Sequence, residues 1–349
     1  MIRRVLPEGT AVVLLGEGAA ELVRAQAERL GVERALILAT SRRTAAAERV
    51  STQLGARSAG VLGIAREHVP IELVTQGRSE ASRRSADALV AVGGGSTIGL
   101  AKAIALELAL PIIAIPTTFS GSEMTPVWGI TEGGLKRTGR DERARAACVL
   151  YDPQLSLALP ASVAVPSAFN AIAHAVEALY APEANAEILT LAEDAVKSLV
   201  QSLSALATGS SEIGRREQGF YGACLAGACL GRASMGLHHK LCHVLGGSFD
   251  LPHALTHAVL LPYVARFNLE VAPDARARLG RALSAGDAVE ALFELTAQHG
   301  VPKSLASLGL AANALDRAAE LATASPYPNP RPVSTADVRE LLELAYLGR

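Results

Sequence analysis

Cysteine is scarce in this chain of 349 residues. The four present, Cys148, Cys224, Cys229 and Cys242, form no CxxC pair and fall far short of the density of a disulfide scaffold, which excludes a stapled secreted fold and fits a reducing compartment. No structural zinc site is evident. An excess of one charge is also missing: 33 Lys and Arg stand against 34 Asp and Glu, for a formal net charge of -1. A protein that coats nucleic acid needs a basic surplus to neutralise phosphates, so a small-molecule partner is the better expectation. Membrane-length apolar runs are lacking as well. Residues 153–176 are uncharged and long enough to span a bilayer, but Pro153, Pro160 and Pro166 interrupt them and Ser, Asn and His dot them. The opening residues 1–7 lack the apolar core and small-residue cleavage site of a signal peptide and run straight into a strand-like segment, so a cytoplasmic protein is expected.

What is present is a core-forming composition that changes texture along the chain. Half the residues are apolar and 19% are charged, which excludes intrinsic disorder, and at roughly 150 residues per domain the length predicts two domains. Up to about residue 156, short apolar runs alternate with helical patterns. Residues 11–15 end at Gly16, residues 35–39 end at Thr40-Ser41, and residues 88–92 and 111–116 repeat the signal. Runs this short and this apolar read as parallel strands buried on both faces. The helical segments between them, 19–30 and 96–108, complete βαβ units. After about residue 160, long Ala/Leu-rich segments of helical spacing take over at 167–180, 186–207, 215–233 and 275–299, with loops at 208–212 and 324–332. The expectation is a Rossmann-like α/β dinucleotide-binding domain over 1–156 and an all-helical catalytic domain over 157–349.

Three glycines separate a strand end from a helix start in VAVGGGSTIGLAK, residues 90–102. Glycine lets the backbone approach a ligand closely, and the N–H groups and dipole of a helix's first turn favour an anion. Gly93, Gly94, Gly95 and Ser96 are therefore candidate phosphate contacts, although the segment is neither GxGxxG nor GxxxxGK[ST]. A second polar cluster, PTTFSGSE at 116–123, follows the next strand. At the carboxyl end of a strand its Thr117, Thr118 and Ser120 can bind ribose, phosphate or carboxamide, or simply form a Ser/Thr turn. An acidic residue after the second strand would select NAD; Thr40-Ser41-Arg42-Arg43 stands there instead. Ser41 and Arg42 should tolerate a 2′-phosphate, so NADH and NADPH are both expected to serve, with a solvated helix start as the plainer alternative.

Five of the eight histidines fall between positions 238 and 257: His238, His239, His243, His253 and His257. His239 and His243 are four apart on a predicted helix and share a face, and His253 follows ten residues later, beyond a break at Gly246-Gly247. Asn170 and His174 repeat the spacing on a helix predicted to open at Pro166-Ser167. A single core histidine is more often merely hydrogen-bonded, but packing seldom gathers so many. Three imidazoles could hold a transition metal, which usually also wants a carboxylate or an open position. Asn170 is a neutral amide and a poorer ligand than aspartate. A non-catalytic nucleotide sensor would need no such cluster.

Together the GGGS turn, PTTFSGSE, NAIAHAVEALY at 170–180 and GLHHKLCHVLGGSFDLPH at 236–253 resemble the iron-containing alcohol dehydrogenase superfamily over nearly the whole chain. Within it the resemblance is closest to the maleylacetate reductase family. It implies a two-lobe fold, α/β then all-α, of the dehydroquinate synthase-like kind. It also implies NAD(P)H-dependent reduction of the carbon–carbon double bond of 2-maleylacetate to 3-oxoadipate, late in bacterial breakdown of aromatic and chloroaromatic compounds. In the wider superfamily an Asp, a His four residues later and two further His fourteen apart hold the metal. The matching positions here are Asn170, His174, His239 and His253. Losing the anionic ligand at 170 weakens the hold on a divalent ion, and the resemblance implies that this branch needs no tightly bound metal. On that reading His174, His239 and His253 bind the dicarboxylate and polarise its ketone, with Asn170 as a neutral donor. His243, beside the expected nicotinamide, is the candidate proton donor, and Lys240 either meets a substrate carboxylate or is solvated. A homodimer is implied by resemblance alone. The alternative is a metal-dependent alcohol dehydrogenase or aldehyde reductase whose histidines recruit iron or zinc. A dehydroquinate synthase-like lyase would need a firm metal site.

Overall fold

Strands that are apolar on both faces need cover on both sides, and the intervening helices provide it. The structure, a computed structural model, describes residues 1–4 and 11–349. The expected run from the N-terminus into the first strand therefore lies largely outside the described residues. The strands are β1 (Arg3–Arg4), β2 (Val12–Leu15), β3 (Ala35–Leu38), β4 (Ser58–Leu62), β5 (Ala88–Gly93), β6 (Ile112–Pro116), β7 (Val127–Glu132), β8 (Leu135–Arg140) and β9 (Cys148–Tyr151). One sheet has the order β1-β2-β9-β6-β5-β3-β4, parallel throughout except at its β1 edge. β7 and β8 form a separate antiparallel hairpin. Helices α1 (Val23–Arg29), α2 (Thr44–Leu54), α3 (Ile71–Arg83) and α4 (Gly95–Leu108) alternate with the parallel strands. Val23 and Ala27 of α1 and Val50 and Leu54 of α2 share one apolar cluster with Ile37, Val90, Val92, Ile113 and Leu150 of the sheet. Each such Val, Ile or Leu contributes roughly 1.5–3 kcal/mol by leaving water.

After Tyr151 no strand occurs among the described residues. The chain continues as α5 (Ala161–Ala178), α6 (Ala186–Ala207), α7 (Ile213–Arg232), α8 (Leu237–Phe249), α9 (His253–Leu269), α10 (Pro273–Leu283), α11 (Ala288–Gln298), α12 (Leu315–Thr323) and α13 (Thr335–Leu347). None of the helices described is long and apolar enough to cross a membrane. The chain divides into two compact units, Met1–Leu159 with Ser211–Tyr221, and Pro160–Ser210 with Gly222–Arg349. A single division near residue 156 has no place for Ser211–Tyr221. That segment belongs with the first unit because Phe220 packs on Phe119 and Tyr151, at ring-centroid separations of 4.6 and 5.4 Å, and Arg216 donates to the Ser156 carbonyl at 2.6 Å.

Three expected helix limits differ from the structure. α5 does not open at Pro166 but at Ala161 and runs through the proline. An interior proline costs about 3 kcal/mol, and here every residue from Ala164 to Ala178 is buried, a gain large enough to carry the defect. α8 is not broken at Gly246-Gly247. It continues to Phe249 and stops where Asp250 adopts a left-handed φ of 55°, since a helical glycine costs only about 1 kcal/mol. Residues 275–299 are two helices, α10 and α11. Ser284 turns left-handed at φ 56°, and the Asp287 carboxylate caps α11 by accepting from the N–H groups of Val289 and Glu290 at 2.8 and 3.2 Å.

Candidate active site

In the first unit β3, β5 and β6 are parallel neighbours, so the turns that follow them emerge at one edge of the sheet. Gly93 pairs with Pro116, and the Thr117 N–H donates to the Gly93 carbonyl at 3.0 Å. The glycine turn and the hydroxyl cluster therefore lie side by side. α4 begins at Gly95 with Gly94 as its N-cap and no side-chain cap; the Thr97 and Ile98 N–H groups donate to the Gly94 carbonyl, and those of Gly95 and Ser96 face the ligand end of the helix. Gly93 and Gly94 are sterically required. A Cβ on Gly93 would collide with Thr97, and one on Gly94 would stand 2.7 Å from Thr118 Oγ1. The Ser120 and Ser122 hydroxyls lie 3.8 and 3.9 Å from where a Gly95 Cβ would be. Thr117 and Ser120 are buried, while Ser96 and Thr118 are half-buried. After β3, the exposed Ser41 and Arg42 form a short turn that leads into α2.

Lys102, on α4, was not among the candidates, yet it holds this edge together. Its buried Nζ donates to the carbonyls of Ser122, Thr125 and Val127 at 2.6, 2.8 and 2.8 Å and to Thr125 Oγ1 at 3.1 Å. Burial draws its pKa down to about 7. Beside it, burial raises the Glu123 carboxyl to about 6, although the Tyr151 hydroxyl donates to it at 2.7 Å.

In the second unit three helices converge. α5 carries Asn170, His174 and Glu177 at spacings of four and three, one face of a largely apolar helix. α8 carries His238, His239, Cys242 and His243, and α9 begins with His253 and has His257 one turn later. The His174 and His239 rings stack at 4.8 Å, His239 and His243 meet at 6.3 Å, and His243 stacks on His253 at 6.3 Å. The four histidines expected at the site are thus brought together. Asn170 stands one turn before His174, its Oδ1 buried without a partner, as is His174 Nδ1. His174 and His239 are buried, whereas His243 and His253 are half-buried and form the accessible side. Lys240 is half-buried, and its Nζ donates to Ser325 Oγ at 3.1 Å in an exposed hydrogen bond.

Glu177 is the group that sequence reasoning missed. Only 1% exposed, it meets His239 Nδ1 through Oε2 at 2.5 Å and accepts from the backbone N–H groups of Gly236, His238 and His239 at 3.2, 2.9 and 3.4 Å. It both caps the start of α8 and orients the His239 ring. The available signal was a lone carboxylate three residues after His174 on a buried face. Burial raises its pKa against those donors. Burial, then the His239 charge, holds His174 well below the usual histidine value, burial likewise depresses His257, and it brings His238 down to about 3. These three rings are neutral at pH 7. Their N–H groups, not imidazolium, are what they offer a ligand.

Residues 10–153 match the iron-containing alcohol dehydrogenase model, and residues 164–346 match that of the C-terminal part of the Fe-containing alcohol dehydrogenase family. The chain is 48% identical over 336 residues, 96% of each chain, to a maleylacetate reductase of Burkholderia cepacia. It is 45% identical over 339 residues to one of Pseudomonas sp. (strain P51), covering 97% of this chain and 96% of the other. The crystal structure of maleylacetate reductase from Rhizobium sp. strain MTP-10005 superposes with a TM-score of 0.92 at 42% identity, covering 99% of both chains.

Proposed function

The chain belongs to the iron-containing alcohol dehydrogenase family, and on that footing we propose that it is a maleylacetate reductase, which reduces the double bond of 2-maleylacetate to give 3-oxoadipate in bacterial aromatic breakdown. Near-full-length identity of 42–48% to maleylacetate reductases supports the reading. The observation that carries it at the site is a convergent histidine cluster headed by the neutral Asn170. When bound, NADH or NADPH supplies the hydride. The first unit's task is to hold that cofactor. The α4 N–H groups with Gly93, Gly94, Gly95 and Ser96 suit its phosphates, and Thr117, Thr118 and Ser120 suit its sugar and amide oxygens. Ser41 and Arg42 suit a ribose with or without a 2′-phosphate.

Iron, which the family's name implies, or another divalent metal such as zinc would draw on His174, His239, His253 and the Asn170 amide oxygen. That set contains no anion, and the nearby Glu177 carboxylate is engaged by His239 and three backbone N–H groups. The donors therefore fit a firmly held divalent ion poorly, and the reaction proposed here runs without one. His174, His239 and His253, with Asn170, bind the dicarboxylate and polarise its ketone. As hydride adds to one alkene carbon, the π electrons move toward the carbonyl oxygen. The developing enolate is stabilised by N–H donors already in place. His243, on the accessible side, gives a proton to the carbon beside the ketone, which restores the carbonyl and completes addition of H2 across the double bond. Glu177 fixes the His239 ring and offsets positive charge that develops on it. The same resemblance supports a homodimer, and four buried thiols fit a reducing cytoplasm.

The test is NADH oxidation by EDTA-treated enzyme with freshly generated maleylacetate and a panel of simple aldehydes and ketones. Rapid turnover of maleylacetate alone is expected. Activity that returned only with iron or zinc and favoured simple carbonyls would replace this reading with a metal-dependent alcohol dehydrogenase.

A further inference from the structure

Two clustered histidines have no part in the mechanism above. His238 and His257 are 1% and 0% exposed, and His238 Nε2 lies 3.0 Å from His257 Nδ1. Cys242 Sγ is 3.7 Å from the same His238 nitrogen. The ligand atoms of this trio lie within 4.8 Å of one another. A ligating imidazole, however, gives its other N–H to a carboxylate or carbonyl, and His238 Nδ1 and His257 Nε2 are both buried without a partner. The trio is better described as a hydrogen-bonded chain than as a metal centre.

One proton lies between the two rings, and either placement leaves one buried N–H with no acceptor. With the proton on His257 Nδ1, the orphan is His238 Nδ1–H, on a ring that meets only His239 and His257 among the described rings. With the proton on His238 Nε2, the orphan is His257 Nε2–H. That ring lies among His253, His239 and His174, at centroid separations of 4.5, 4.9 and 6.1 Å. These three are the histidines assigned to the substrate, against His239 alone beside His238, so a ligand oxygen is better placed to satisfy the donor there.

We propose that His257, held as its Nε2–H tautomer by His238, is a further substrate-binding residue that donates to a carboxylate or ketone oxygen of the dicarboxylate. The identity of the substrate rests on the reading above; the donor rests on the hydrogen-bond geometry. His257→Leu removes the donor, and His257→Gln keeps an N–H at the matching reach. Three quantities are measured for each: the KM for maleylacetate, the Kd of the unreactive dicarboxylate adipate, and the Kd of NADH by fluorescence.

His257→Leu is expected to weaken both dicarboxylate constants about 10- to 100-fold with NADH binding unchanged, and His257→Gln to recover most of the loss. Unchanged dicarboxylate constants in His257→Leu, or equal losses in both variants, would overturn the proposal. Should the variants fail to fold, nitrogen NMR of histidine-labelled wild-type enzyme decides: an Nε2–H tautomer whose signal shifts with adipate supports the proposal, and an Nδ1–H tautomer refutes it. Wild-type enzyme that binds adipate through His257 but reduces no maleylacetate would overturn the proposed reaction and leave this contact standing.

Discussion

Glu177 shows how one side chain can govern a site without being part of an expected constellation. Its carboxylate takes three backbone N–H groups at the start of α8 and one ring nitrogen of His239. Glutamine in its place keeps the shape but not the charge. Glu177→Gln should therefore lower kcat for maleylacetate about 10- to 100-fold and leave the KM for NADH nearly unchanged. Steady-state kinetics and a urea midpoint separate this from mere destabilisation, in which kcat per folded molecule would hold. The histidine pairs were legible at this scale because a spacing of four places two side chains on one helix face whatever the fold. Glu177 was not, because its partner lies 62 residues onward.

At the scale of elements, α4 does more than present its N-terminus. Lys102 ties it to the loop after β6 and to the start of β7 through four oxygens. Its pKa is about 7 in the folded chain against 10.5 as the ordinary value. Between those values the unfolded chain binds more protons, so this residue's contribution makes stability rise with pH. The stability difference between wild type and Lys102→Met, from urea unfolding, should accordingly grow from pH 7 to pH 9. A flat difference would mean that the four oxygens keep the ammonium charged. The Ser41–Arg43 turn carries a second prediction. With hydroxyl and guanidinium groups where a carboxylate would repel a 2′-phosphate, kcat/KM for NADH and NADPH should agree within about a hundredfold, nearly 3 kcal/mol, and a stronger preference for NADH would refute it. Element types were read correctly where the pattern was strong, as at Ala88–Gly93, Ile112–Pro116 and Ala186–Ala207. Limits placed at Pro166 and at Gly246-Gly247 were not, because burial of the whole helix outweighs a local breaker.

For the whole molecule, the prediction that follows from the proposed function is a dimer. Light scattering on the purified protein should give about twice the chain mass of 36.2 kDa, and a monomer across the working concentration range would refute it. The change from strands to helices near residue 156 was visible in the sequence, because apolar runs and helical periodicity are properties of neighbouring residues. By the same logic the sequence alone determined four of the sheet's strands, β2, β3, β5 and β6, where the glycine turn sits and that imidazoles recur along α8 and α9, but not β9, which is fully buried between β2 and β6. Only the tertiary structure decided that Ser211–Tyr221 joins the first unit, that Lys102 anchors the loop after β6, and that Glu177 pairs with His239 and His238 with His257. Each depends on groups 19 to 101 residues apart in sequence, and no local periodicity encodes which distant faces will meet.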